Sequence, residues 1–300
     1  MQVTVAKTAG FCFGVRRALE LTQKSAALSP TCTLGELIHN RQVVEELAGQ
    51  GVTVIERPED APAGAAVVIR SHGVGPQVYD TLRAQGSPVI DATCPFVKRI
   101  HQIAAEVPEN GLLLLAGRRE HPEVQGILGY CRGPALVFSS AEEMQELLAF
   151  LPSDGNIPVI LAAQTTFSLR EWEKILFFAK KVCTNLKVFD TICRATIERQ
   201  SEAKQLAQSA DAMVVVGGLH SANTTALAAL CGSYCPTVQV ETADQLERHR
   251  EALRGARFIG ITAGASTPAC IIKEVQNSMS VLENNTEEMN FGELLDQYSK

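Results

Sequence analysis

Val89-Ile90-Asp91-Ala92-Thr93-Cys94 and Val188-Phe189-Asp190-Thr191-Ile192-Cys193 are two copies of one pattern, 99 positions apart: an apolar β-branched run, then Asp-x-x-Cys, then a helical stretch. A related unit opens the chain, where Val3-Thr4-Val5 is followed by Thr8-Ala9-Gly10-Phe11-Cys12 and by a helix from about Val15. A repeat of this length predicts three similar α/β lobes, each presenting one cysteine at a strand end. The stretch from Met213 to Ile272 has no such cysteine unit, so the N-terminal strand is expected to complete the last lobe.

The surrounding sequence agrees. Val67–Ile69, Leu112–Leu115, Val159–Leu161, Met213–Val216 and Phe258–Ile261 read as buried strands alongside the two in the repeat. Helical patterns follow at Gln42–Ala48, Phe96–Ala105, Ser168–Lys181, Ala195–Ala207 and Ala222–Leu230. Such alternation predicts an α/β fold with mainly parallel sheets covered by helices, and ligands then bind at the carboxyl ends of the strands. The expected lobes are 13–94, 95–192, and 193–282 together with 1–12, followed by a polar, acidic tail or linker over 283–300.

Composition narrows the function. Apolar residues make up 46% of the 300, enough for a sizeable core. A net charge of −6 argues against general nucleic-acid binding, which needs a basic footprint. No apolar run approaches a membrane span, and Arg16–Arg17 follow rather than precede the first apolar segment, so a cytoplasmic protein is expected. Nine cysteines are many for a reducing compartment, where metal or catalytic roles outrank disulfides. No Cys-x-x-Cys occurs, so any metal-binding cysteines must come from distant parts of the chain.

Cys12, Cys94 and Cys193 share the strand-end context, and soft thiolates there favour an iron–sulfur cluster or zinc. Three thiolates would leave one iron of a cubane without a protein ligand, open to substrate. Cys32, Cys131, Cys183, Cys231 and Cys270 lie in or beside apolar stretches and read as packing residues. His39, His72, Ser221–Thr224 and Ser266–Pro268 sit in loops after strands or before helices, where hydroxyls and free N–H groups suit an anion. Ser266 is the expected N-cap of the last helix. Glu123 follows His121-Pro122, where it either favours the first helical turn or serves as a proton donor, and Gln164-Thr165-Thr166 should face the same side. His101 and His249, among charged neighbours, are expected at the surface.

Taken together, nine short motifs resemble the 4-hydroxy-3-methylbut-2-enyl diphosphate reductase family. They are Gly10-Phe11-Cys12-Phe13-Gly14-Val15, Gly35-Glu36-Leu37-Ile38-His39-Asn40, Ser71-His72-Gly73-Val74, Asp91-Ala92-Thr93-Cys94-Pro95, His121-Pro122-Glu123-Val124, Gln164-Thr165-Thr166, Asp190-Thr191-Ile192-Cys193, Ser221-Ala222-Asn223 and Ala263-Gly264-Ala265-Ser266. The resemblance implies three α/β lobes around one central [4Fe–4S] cluster held by Cys12, Cys94 and Cys193. It implies a diphosphate pocket from His39, His72, His121, Ser221, Ala222, Asn223 and Ser266, with Thr165 and Thr166 nearby. Glu123, with Thr165 and His121, would supply protons as a small allylic diphosphate loses its hydroxyl as water. The implied products are isopentenyl and dimethylallyl diphosphate, and the implied electron donor is a ferredoxin or flavodoxin.

One departure from the family pattern is Ala222, where many members carry a second serine; its backbone N–H remains as a donor. In some bacterial members a linker and RNA-binding OB-fold repeats follow the reductase. Glu287-Glu288-Met289-Asn290-Phe291 resembles such a linker, which leaves open that this chain is part of a longer fusion. Two other readings use the same cysteines. A quinolinate-synthase-like dehydratase would want arginine clamps for carboxylates, and a redox sensor has little use for Glu123 and Thr165.

Overall fold

A computed structural model describes residues 1–38, 40–149, 157–183 and 185–279. His39 and the tail from 280 onward, including the expected linker, lie outside the described residues. Among the described residues, twelve strands form three four-stranded sheets, parallel throughout. They are β1 (Gln2–Val5), β2 (Thr31–Leu34), β3 (Val52–Ile55), β4 (Ala66–Ile69), β5 (Val89–Asp91), β6 (Leu112–Ala116), β7 (Ala135–Phe138), β8 (Val159–Ala163), β9 (Leu186–Val188), β10 (Ala212–Val216), β11 (Thr237–Val240) and β12 (Phe258–Ala263). The helices are α1 (Phe13–Ala26), α2 (Arg41–Gly49), α3 (Pro76–Ala84), α4 (Pro95–Ala105), α5 (Pro122–Leu128), α6 (Ala141–Ala149), α7 (Leu169–Val182), α8 (Arg194–Ser209), α9 (Ala222–Gly232), α10 (Arg250–Leu253) and α11 (269–279).

The sheets share one strand order. Read from the cysteine edge they run β1-β12-β10-β11, β5-β4-β2-β3 and β9-β8-β6-β7. The N-terminal strand therefore joins the last sheet, with Val3 opposite Ile259 and Val5 opposite Ile261. The chain divides into two compact units: Met1–Cys12 with the segment from Glu198 onward, holding one sheet, and Phe13–Ile197, holding the other two.

Central strands are apolar along their whole length because helices cover both faces of a parallel sheet. Every residue of β6, β8 and β10 is buried, and Leu113, Leu114 and Leu115 are wholly so. Each such leucine contributes about 1.5–3 kcal/mol by leaving water. The helices read directly from their periodicity. In α7, Trp172, Ile175 and Ala179 face the core, Ser168 caps the start by accepting from the Glu171 N–H, and Lys180 and Lys181 complement the C-terminal dipole.

Three expectations need correction. His101 is buried: with Val97, Ile100 and Ala104 it falls on the inward face of α4, and it stacks on Tyr130 at 4.4 Å between ring centroids. Its charged neighbours Lys98 and Arg99 point outward and disguise that face. Cys270 is exposed, because Ile271, Ile272 and Val275 take the buried face of α11. Ser266 does not cap that helix. The first helical bond is donated by the Ile272 N–H to the Pro268 carbonyl, so Ser266 lies in the preceding turn.

Candidate active site

The three sheets place equivalent loops at their carboxyl ends. In each, the strand at the cysteine edge leads to a cysteine whose backbone N–H donates to the loop after its neighbouring strand. Cys12 donates to the Ala265 carbonyl after β12, Cys94 to Ser71 after β4, and Cys193 to Thr165 after β8, at 3.2, 3.0 and 3.0 Å. The accepting loops also carry Ser266, His72 and Thr165 itself. The third strand of each sheet, β10, β2 or β6, leads to Ser221-Ala222-Asn223, the loop that ends at Asn40, or His121-Pro122-Glu123. The described candidate residues thus lie on one structural rule, three strand-end loops to each sheet.

The Asp of the Asp-x-x-Cys pattern has a local task. Asp91 Oδ1 accepts from the Thr93 N–H at 2.9 Å and Oδ2 pairs with Lys98 Nζ at 2.6 Å, which closes the turn before Cys94. Cys94 is the residue ahead of α4, Cys12 precedes α1, and Cys193 precedes α8, with its Sγ 3.1 Å from Thr196 Oγ1. All three are partly accessible cysteines at positive helix ends, a setting that suits an anionic sulfur ligand. Burial pushes up the thiols of Cys32, Cys131, Cys183 and Cys235, and that of Cys231 to about 12. The donor set therefore fits a thiolate-bound cluster. Cys12 belongs to one compact unit and Cys94 and Cys193 to the other; among the described residues no group of three His, Cys, Asp or Glu side chains stands ready around a metal ion.

Within the larger unit, Glu123, Thr165 and His121 come together. Glu123 is 2% exposed. The Thr165 N–H donates to Glu123 Oε1 at 2.6 Å, and the Thr165 hydroxyl donates to Oε2 at 2.7 Å. Burial outweighs these bonds and raises the carboxyl to about 7. His121 caps α5, its Nδ1 accepting from the Glu123 N–H at 3.1 Å, so its proton sits on Nε2. The rings of His72 and His121 meet edge to face at 5.3 Å. Gln164, 3% exposed, binds both sides of this cluster: its Oε1 accepts from the Arg118 N–H and its Nε2 donates to the Thr166 hydroxyl. Nothing in the sequence marks this role of Gln164, because no periodicity distinguishes a buried amide that braces two loops.

The smaller unit supplies the other loops. Ser221 caps α9 by accepting from the Thr224 N–H at 3.4 Å. The Asn223 side-chain Nδ2 is buried and has no partner among the described residues, a donor that an anion would satisfy. Gly217 and Gly264 both pack against Thr224, so the β10 and β12 loops approach more closely than side chains would allow.

Comparison with known proteins gives a consistent result. Residues 3–280 match the family model described as LytB protein. The 4-hydroxy-3-methylbut-2-enyl diphosphate reductase of Caldanaerobacter subterraneus subsp. tengcongensis is 40% identical over 297 residues, covering 96% of this chain and 99% of that protein. The Geobacter sulfurreducens protein of the same name is 41% identical over 288 residues, covering 95% and 99%. Among solved structures, the E-1-hydroxy-2-methyl-but-2-enyl-4-diphosphate reductase of Plasmodium falciparum superposes with a TM-score of 0.86 at 26% identity, covering 92% of this chain and 87% of that one. A structure described as (E)-4-hydroxy-3-methyl-but-2-enyl diphosphate reductase, the terminal enzyme of the non-mevalonate pathway, gives a TM-score of 0.65 at 38% identity, covering 93% and 99%.

Proposed function

The chain belongs to the LytB protein family, and from that membership we propose that it is an iron–sulfur oxidoreductase of the non-mevalonate isoprenoid pathway. It converts 4-hydroxy-3-methylbut-2-enyl diphosphate, two electrons and two protons into isopentenyl or dimethylallyl diphosphate and water. The observation that carries the chemistry is the buried Glu123 carboxyl, raised to about 7 and held at two oxygens by Thr165.

Cys12, Cys94 and Cys193 are the proposed ligands of one [4Fe–4S] cluster. When bound, the cluster supplies the electrons and, through its open iron, Lewis-acid activation of the substrate hydroxyl. The remaining work belongs to side chains. Asn223 and Ser221, on the first turn of α9, and Ser266 offer donors to the diphosphate, as does the Ala222 N–H. His39, His72 and His121 complete the proposed anion pocket. Thr165, fixed by its bond to Glu123, orients the substrate hydroxyl, with Thr166 beside it in the same loop. A carboxyl near 7 keeps its proton on about half of the molecules at neutral pH, where it can release it to the departing oxygen. The burial that raises it also excludes competing water.

The proposed setting is the cytoplasm, with a ferredoxin or flavodoxin as electron donor. Among the described residues no helix is long and apolar enough to cross a membrane. The test is anaerobic turnover of the allylic diphosphate by cluster-loaded protein with dithionite and a viologen. Formation of the two isomeric diphosphates supports the proposal. No substrate consumption by protein with full iron and sulfide content overturns it.

A further inference from the structure

Arg199 and Glu202, one turn apart on α8, lie against the loop that leads from β1 to Cys12, and all of these residues belong to the smaller compact unit. Arg199 is 3% exposed. Its Nε and one terminal nitrogen donate to the Thr8 carbonyl at 3.1 and 2.6 Å, and the same terminal nitrogen donates to the Gly10 carbonyl at 2.6 Å. Glu202 accepts from the backbone N–H groups of Lys7 and Thr8, both at 2.8 Å, and from the Thr8 hydroxyl at 2.6 Å. Six side-chain bonds thus hold residues 7–10, and the loop ends with the Cys12 N–H bound to Ala265. Gly10 takes φ +104°, a conformation that L side chains rarely adopt, so the turn before Cys12 calls for glycine.

We propose that Arg199 and Glu202 are positioning residues for the cluster: they fix the loop that aims Cys12, so that its thiolate is pre-set before iron arrives. The inference rests on Cys12 being a cluster ligand. The physical argument is that a buried guanidinium is costly to place, and here its planar fork is spent on two carbonyls of a ligand-bearing loop. Such supporting bonds commonly change metal affinity by about 10–100-fold. A second observation follows the same design in the larger unit. Arg17, on the helix after Cys12, donates to the carbonyls of Asp91 and Thr93 at 3.2 and 3.3 Å, in the loop that leads to Cys94.

The readout is the rate at which anaerobically purified, cluster-loaded protein releases iron to a chelator, well below the melting temperature. Arg199→Gln should release iron about 10–100-fold faster than wild type. Arg199→Lys should recover part of the loss, because one ammonium cannot span both carbonyls. Thr8→Val, which removes only the hydroxyl bond to Glu202, should show a smaller acceleration and tests the idea even where Arg199→Gln fails to fold. Leu227→Ala, a core truncation in the same unit, should lower the melting temperature and leave iron release unchanged. Wild-type release rates in Arg199→Lys and Thr8→Val, or equal acceleration in Leu227→Ala, overturn the inference. Full iron content in Cys12→Ser instead refutes the ligand assignment on which it rests.

Discussion

Glu123 combines near-complete burial with two short bonds from Thr165, and the two influences oppose each other. Desolvation favours the neutral carboxyl and the Thr165 donors favour the anion; desolvation wins, and the group stays protonated close to neutrality. Glu123→Gln keeps the shape and removes the acid. It should bind substrate and retain the cluster while single-turnover consumption falls about 10²–10⁴-fold. A residue that only favours the first turn of α5 would leave the rate within a few-fold of wild type. The raised carboxyl also links stability to pH. Below 4.5 it is protonated folded and unfolded; between there and about 7 only the unfolded chain ionises it, so its contribution is lost as pH rises. His101 acts in the opposite direction, since burial lowers it from 6.5 to about 4 and its contribution is lost as pH falls through that range. Melting temperatures of wild type minus those of Glu123→Gln, taken across pH 4.5 to 7, should therefore decline with pH. A flat difference would show that the carboxyl is not perturbed. The acid role proposed for Glu123 stands in the sequence as one of two alternatives, the other being a first-turn residue of α5. His101 was misread because inward Val97, Ile100 and Ala104 alternate with outward charges on the same helix.

At the scale of elements, the strand-end rule explains why short motifs mark the candidate site. The cysteine-edge strand and its neighbour are tied by one bond from the cysteine N–H, so each motif pair marks a place where two loops are fixed together. Gly73 shows how tight this is. Its φ is +70°, and an added Cβ would lie 2.5 Å from His101 Cε1 and 2.9 Å from Thr93 Cγ2. Gly73→Ala should cost about 1–3 kcal/mol in denaturant unfolding, from the strained conformation and overpacking together. Unchanged stability would mean that the β4 loop is looser than its contacts indicate. Central strands and long helices were legible because burial on both faces, or on one stripe, leaves a plain pattern. The far-edge strands β3, β7 and β11 were not legible. They are short and half-covered, with Val54 exposed in β3 and polar Gln239 in β11.

For the whole molecule, the repeat of Asp-x-x-Cys foretold three similar α/β lobes and the return of the N-terminal strand to the last of them; the strand order that the three sheets share was not foretold. Nothing in the sequence marked the bracing by Arg199, Glu202 and Gln164, because such bonds join residues far apart in the chain. The central claim is that three equivalent strand ends supply the thiolates of a single cluster and that the other six cysteines do not. Single Cys→Ser replacement at all nine positions, with iron and sulfide measured on anaerobically purified protein, tests it most directly. The six others should keep about four iron and four sulfide per chain, with packing costs of about 1–3 kcal/mol where buried. Cys12→Ser, Cys94→Ser and Cys193→Ser should each lose the cluster or nearly all turnover. Full iron, sulfide and turnover in Cys94→Ser would contradict the account.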